Sequence, residues 1–189
     1  PQEAFPGPRW EGQRAAEVAS GADHVLVRTA EGRVFSWGCA ERGRLGRLPE
    51  AEADVHDKKM TPALKAKMLT AAPVDALPGK ARHVACGLYS SWAVCEGGRV
   101  FGWGLNNYGQ LTLPEDGGYY APQELKACEG LGVAQVAGGE HHALYVTGDG
   151  RLFSAGRPTY GRLGRSGVDV NSDDFVPQLA EVEGLGGKR

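Results

Sequence analysis

Residues 17–46, EVASGADHVLVRTAEGRVFSWGCAERGRLG, recur without a gap as residues 83–112, HVACGLYSSWAVCEGGRVFGWGLNNYGQLT, and again as residues 135–164, QVAGGEHHALYVTGDGRLFSAGRPTYGRLG. Val18, Ala19, Gly21, Gly32, Arg33, Phe35, Gly38, Gly43 and Leu45 are identical in all three units, at offsets of 66 and 118 residues. A chain that writes one short unit three times builds modules that bury their apolar faces against one another, and periods of this size point to stacked or radial arrangements. Slots filled alike in every unit read as scaffold. They include Gly21, Gly32, Phe35 and Gly38, then Gly87, Gly98, Phe101 and Gly104, then Gly139, Gly150, Phe153 and Gly156.

Within a unit the pattern is that of short strands. VLVRT, a glycine turn and RVFSWG predict a hairpin, with Phe35 and Trp37 on one face at period two. Before it runs a strand of small residues, VASG, VACG or VAGG, slim enough for a crowded axis. The connectors APVDALPGK from 72, APQELKACEGLG from 121 and VPQLAEVEGLGG from 176 each open on an X-Pro extended step and predict a fourth strand. Four antiparallel strands per unit make an all-β fold of three propeller blades within one domain, residues 1–189, with repeat cores 17–46, 83–112 and 135–164. Three blades do not close a ring, so the chain reads as an excerpt of a longer propeller.

Composition narrows the function classes. With 29 glycines and no collagen-like triplet, the 189 residues favour tight turns over long helices. The formal charge of -2 gives no global pull toward nucleic acid. No apolar run has the length of a membrane span, and PQEAFPGPRW lacks a signal-peptide pattern, so the chain reads as intracellular. Cys39, Cys86, Cys95 and Cys128 form no C-x-x-C pair and read as fillers in a reducing compartment, with no metal site expected. The ending GLGGKR lacks phosphate-loop spacing and no nucleophile motif is present, so neither a cofactor, a small-molecule substrate nor bond-making chemistry is expected.

The spacing V-A-x-G, then G-R-V-F-x-W-G, then G-x-L-G resembles the repeat of the regulator of chromosome condensation family over the whole chain. GCAERGRLGRLPE, FGWGLNNYGQL, GGEHHA and GRPTYGRLG add to the likeness. The resemblance implies a seven-bladed β-propeller in the nucleus that promotes guanine nucleotide exchange on the Ran GTPase and contacts nucleosomes and chromatin. It places the hairpin that disturbs the nucleotide pocket before residue 1 and the DNA-touching basic tail outside the chain. The alternative is a repeat propeller acting as scaffold beside a ubiquitin ligase or kinase domain. A lectin-like or enzymatic propeller finds no recurrent polar pocket motif.

Slots filled differently at equivalent places are free to meet a partner. His24, Ser90 and His142 share one slot, which reads as a hydrogen-bonded scaffold position at the start of a strand. One residue earlier stand Asp23, Tyr89 and His141, which alternation turns to the opposite face, toward one rim. The resemblance carries Asp23 and His141 onto GTPase contacts, with Tyr89 in the same slot and Asn107 in a matching loop. Trp37 and Trp103 alternate with Ala155 and read as core packing, because the G-W-R-H-T signature of light-sensing relatives is absent. Residues 50–70 form an insertion whose acids, Glu50, Glu52, Asp54 and Asp57, nearly balance Lys58, Lys59, Lys65 and Lys67, and it reads as a mobile or briefly helical loop.

Overall fold

Each repeat core becomes the first three strands of one four-stranded antiparallel sheet in a computed structural model that describes residues 12–55, 59–175 and 177–184. The first blade holds β1 (Ala15–Ser20), β2 (His24–Thr29), β3 (Val34–Gly38) and β4 (Ala72–Pro73). The second holds β5 (Ala81–Cys86), β6 (Ser90–Cys95), β7 (Val100–Leu105) and β8 (Gly118–Glu124). The third holds β9 (Val133–Gly138), β10 (His142–Thr147), β11 (Leu152–Gly156) and β12 (Ala180–Glu181). Strands pair in chain order within every sheet, and the first strands lie side by side, β1 against β5 and β5 against β9. This is an arc of a β-propeller with the V-A-x-G strands innermost, as the repeat predicts.

The fourth strands come from the three connectors, as the sequence reading expects, with a register that the X-Pro steps do not set. Pro73, Glu124 and Glu181 face Phe35, Phe101 and Phe153, so the X-Pro steps do not occupy one register. Val176 lies outside the described residues. What repeats instead is the next apolar residue, Val74, Leu125 and Val182, whose amide donates to the carbonyl of Val34, Val100 and Leu152 at 2.8 to 2.9 Å. Val74 and Leu125 are buried and Val182 half-buried, so this backbone bond marks the common register, and proline takes a neighbouring place that needs no ladder N–H.

Glycine decides where the third strand can end. The amides of Cys39, Leu105 and Arg157 donate to the carbonyls of Asp23, Tyr89 and His141 at 2.7, 3.0 and 2.8 Å. The turn that makes this bond holds Gly38, Gly104 and Gly156 at φ 108, 93 and 107°. A Cβ there would come within 2.3 to 2.4 Å of the same carbonyl oxygens, so both the dihedral and the approach demand glycine. A second glycine slot serves the axis: a Cβ on Gly21 would lie 2.5 Å from the Gly87 oxygen, and one on Gly87 would lie 2.4 Å from the Gly139 oxygen.

Blades adhere through apolar seams. Leu26, Val34 and Val74 of the first blade bury against Val84, Ala93, Phe101 and Trp103 of the second. Trp92, Val94, Val100, Leu111 and Leu125 bury against Val136, Ala143, Tyr145, Phe153 and Ala155 of the third. The recurrent arginine also gains a reason: Arg33, Arg99 and Arg151 lie over the rings of Phe35, Phe101 and Phe153 at 5.0 to 5.4 Å. Val18 is 68% exposed although Val84 and Val136 in its slot are 2% and 5%, because no described sheet covers that face of the first blade. Cys95 and Cys128 are buried, Cys39 and Cys86 half-buried, and all four are free thiols. Burial pushes Cys128 up to about 12.

Polar atoms register the seams. Ser91 Oγ donates to the Arg44 carbonyl at 2.9 Å and Trp103 Nε1 donates to it at 3.1 Å. At the next seam Trp92 Nε1 donates to Tyr145 Oη, which donates to the Gln110 carbonyl at 3.0 Å. His24 is 1% exposed and its Nε2 lies 2.9 Å from Ser91 Oγ. Since that hydroxyl gives its proton to Arg44, His24 donates through Nε2–H and its Nδ1 is left bare and without a partner.

The insertion is an ordered strap. Here α1 (Glu50–Ala53) and α2 (Pro62–Leu69) press Ala53 and Met68 onto Ala40, Leu45 and Leu48. Thr61 caps α2 by accepting from the Leu64 amide at 3.2 Å, with Pro62 preset for the first turn. Arg47 Nη2 closes its other end on the carbonyls of Lys67 and Thr70. Asp54 takes the Arg42 amide and the Tyr120 hydroxyl, both at 2.6 Å, tying the strap to the second blade. Asp57 and Lys58 lie outside the described residues.

Two stability outcomes follow from this geometry. Nothing lies within 4 Å of a Cβ placed on Gly150, so Gly150→Ala pays only for its φ of 88°. Calorimetry should show a loss of about 1 kcal/mol there, about 3 °C in Tm, and at least twice that for Gly104→Ala. The second outcome concerns acid. Burial first, then the nearby Arg44 charge, lowers His24 from 6.5 to about 4. Between those values the unfolded chain binds more protons than the fold, so stability is complete above pH 6.5 and drains as pH falls toward 4, by about 3 kcal/mol. Denaturant titrations across that window should show the decline, and His24→Gln should make it shallower, leaving the smaller share due to His141 and His142.

Candidate functional site

The loops β1–β2, β5–β6 and β9–β10 emerge together on one rim, joined there by the turns that follow β3, β7 and β11. Each slot residue is fixed by its own blade through the carbonyl bond described above, which leaves its side chain at the rim. Asp23 is exposed, whereas Tyr89, Asn107 and His141 are half-buried. The structure brings all four to the same rim, in two groups at the two seams.

At the first seam Arg44 lies between Asp23 and Tyr89. Its side chain is 2% exposed, its Nη1 is 3.8 Å from Asp23 Oδ2, and its Nη2 is 3.6 Å from Glu41 Oε2. Its Cζ stands 4.7 Å from the Tyr89 ring centroid. Repeat logic marked Gly43 and Leu45 but passed over the residue between them. The signal was present in the slot Arg44, Gln110 and Arg162, where a charge alternates with an amide between two invariant partners.

At the second seam His141 packs on Tyr108, ring centroids 4.7 Å apart. Arg157 covers the other part of this group, 4.9 Å from the Tyr108 ring, and makes a two-point ion pair with Asp173 at 2.6 and 2.8 Å. Burial lowers the pKa of His141, with Arg157 and Arg162 acting the same way against Glu140 and Asp173. The ring is therefore neutral near pH 7. Asn107 Oδ1 accepts from Gln110 Nε2 at 3.2 Å, and its neighbour Asn106 is the buried brace, bonded to the Leu113 and Glu115 carbonyls and the Leu111 amide.

His142 is half-buried, with its pKa lowered by burial and then by Arg162 and His141, and its Nδ1 has no partner among the described residues. No group of three or more His, Cys, Asp or Glu side chains among the described residues is placed to hold a metal. Among the described residues no helix is long and apolar enough to cross a membrane. What the rim offers is a row of unlike polar side chains on a fixed backbone, a surface suited to recognition.

The comparisons with known proteins agree with the repeat. The Regulator of chromosome condensation (RCC1) repeat matches residues 31–94 and 97–146, and a second model of that repeat matches 15–44, 81–110 and 133–162. The Regulator of chromosome condensation of Mus musculus is 35% identical over 152 residues, 78% of this chain and 36% of that protein. The Homo sapiens E3 ubiquitin-protein ligase HERC2 is 32% identical over 181 residues, 94% of this chain but 3% of that protein. The crystal structure of Prp20p from Saccharomyces cerevisiae, reported with its binding properties to Gsp1p and histones, superposes with a TM-score of 0.73 at 26% identity. That match covers 91% of this chain and 39% of Prp20p. The chain thus spans well under half of each, and on repeat, fold and identity it belongs to the regulator of chromosome condensation repeat family.

Proposed function

We propose that these three blades are part of a guanine nucleotide exchange factor for the Ran GTPase, working at chromatin in the nucleus. The observation that carries this reading is the rim slot, one backbone geometry bearing Asp23, Tyr89 and His141 in turn. These three differ from one another at an equivalent place on the rim, where a side chain is free to meet a partner. The reading is supported by relatives named Regulator of chromosome condensation and by the binding of Prp20p to Gsp1p and histones.

Exchange breaks no bond. The rim has to bind the nucleotide-free GTPase more tightly than the loaded form, since only a difference in affinity moves that equilibrium. Asp23 supplies an outward carboxylate, and neutral His141 supplies a ring that can donate or accept. Tyr89 adds a rigid aromatic edge, and Asn107 an amide already braced by Gln110. The fixed backbone lowers the entropy lost when they engage a partner. Chromatin contact belongs to the whole protein.

A second reading, a recognition scaffold within a larger protein, is favoured by the match to HERC2 over nearly the whole chain. Alanine at Asp23 and at His141 separates the two. Asp23 is 70% exposed, so Asp23→Ala in the full-length protein should change stability by less than about 0.5 kcal/mol. His141 is 15% exposed against Tyr108, so His141→Ala should cost about 1 kcal/mol. Each should slow nucleotide release from Ran by roughly tenfold. If both variants release nucleotide at the parent rate, the exchange-factor assignment of this rim is wrong and the scaffold reading gains.

A further inference from the structure

Burying a guanidinium is costly unless it is well paired, and Arg44 is buried without a tight partner. Its two nearest carboxylates stand at 3.6 and 3.8 Å, beyond hydrogen-bond reach, and its Nη1 makes no hydrogen bond. The scaffold does not require this charge. In the second blade the same slot holds Gln110, 0% exposed, whose amide bonds the Leu105 carbonyl, Asn107 Oδ1 and the Tyr108 amide. The cation is explained by what it faces: the carboxylates of Glu41 and Asp23 and the ring of Tyr89, the last two being rim slot residues.

Arg44 is also pinned at both ends. Its carbonyl is taken by Ser91 and Trp103 from the second blade, and its Nε donates to the Glu41 carbonyl at 2.9 Å. In the third blade Arg162 repeats the Nε bond, to Thr159 at 2.8 Å, but stacks on Tyr160 in its own turn. Among the described residues, the first seam is where the anchored guanidinium reaches the slot residues of two blades. We propose that Arg44 is a positioning residue for the rim, holding the Asp23 carboxylate and the Tyr89 ring in the poses that meet the partner. This rests on the GTPase-binding reading of the rim. An anchored cation narrows the rotamers of an exposed aspartate before binding, so less freedom is lost on contact.

The test is capture of Ran freed of nucleotide by the full-length protein, with Arg44→Gln, Asp23→Ala and the double variant, each with its melting temperature. Gln is the residue this slot already accommodates in the second blade, so Arg44→Gln should melt close to the parent while capture weakens about fivefold. In the Asp23→Ala background the same change should cost clearly less, because one of the two residues it acts through is gone and only the Tyr89 ring is left to hold. Arg44→Lys keeps the charge but loses the planar stack on Tyr89 and the fork geometry; it should also weaken capture, and by less beside Asp23→Ala than alone. It serves if the glutamine variant melts far below the parent. Capture equal to the parent in a folded Arg44 variant, or a loss that adds in full to that of Asp23→Ala, overturns the positioning role and leaves the GTPase reading standing. Unchanged capture by Asp23→Ala overturns the inference, since the carboxylate Arg44 is argued to hold then makes no contact; the GTPase reading falls with it only if His141→Ala is unchanged as well.

Discussion

The backbone carbonyls of Arg44 and Gln110, each taken by donors from the following blade, are the joints on which this arc depends. Apolar packing alone would hold two sheets face to face at many registers, because it is not directional. A buried carbonyl that must find one hydroxyl or indole N–H admits a single register, and leaving it unmet is expensive. The donors differ, Ser91 with Trp103 at one seam and Tyr145 relayed from Trp92 at the other. The acceptor, the middle residue of the G-x-L turn, is the same. Variation in donors around a constant acceptor explains how a tryptophan slot tolerates Ala155.

Those joints also determine the rim. The turn that offers its carbonyl inward presents its side chain at the rim's edge, so Arg44 and the Tyr108 turn reach the rim from the same places that lock the blades. The chain His24 to Ser91 to the Arg44 carbonyl joins a buried histidine to the residue under Asp23. A proton on His24 would sit in a buried place and face the Arg44 charge, which is why acid should strain this seam.

How far the sequence could be read depended on whether a residue's task was local. Gly38, Gly104 and Gly156 were legible because a dihedral and a close approach leave one solution, written identically three times. The hairpins, the inner strands and the rim placement of Asp23, Tyr89 and His141 followed from period-two alternation. The connectors were legible as fourth strands, but not their register, because Pro73, Pro122 and Pro177 are conspicuous whereas what repeats in the pairing is an ordinary aliphatic one residue past the paired position. The strap was harder still: Asp54 meets Tyr120 across 66 residues, and no local pattern announces a contact of that reach. Arg44 escaped notice because an arginine in a turn reads as solvated until the neighbouring blade is seen to cover it.

The two seams show how a repeat protein gains specificity without altering its frame. Equivalent turns carry Arg44 and Gln110; the amide satisfies its own turn, while the cation leaves its hydrogen-bonding capacity partly unspent and turns it toward the neighbours. A change in either slot leaves the carbonyl joint intact, since that joint uses the backbone and not the side chain. Stability and recognition therefore share a residue but not an atom. The first can stay fixed while the second varies from blade to blade, and a substitution at Ser91 or Trp103 should disturb both at once by moving the backbone from which Arg44 reaches the rim.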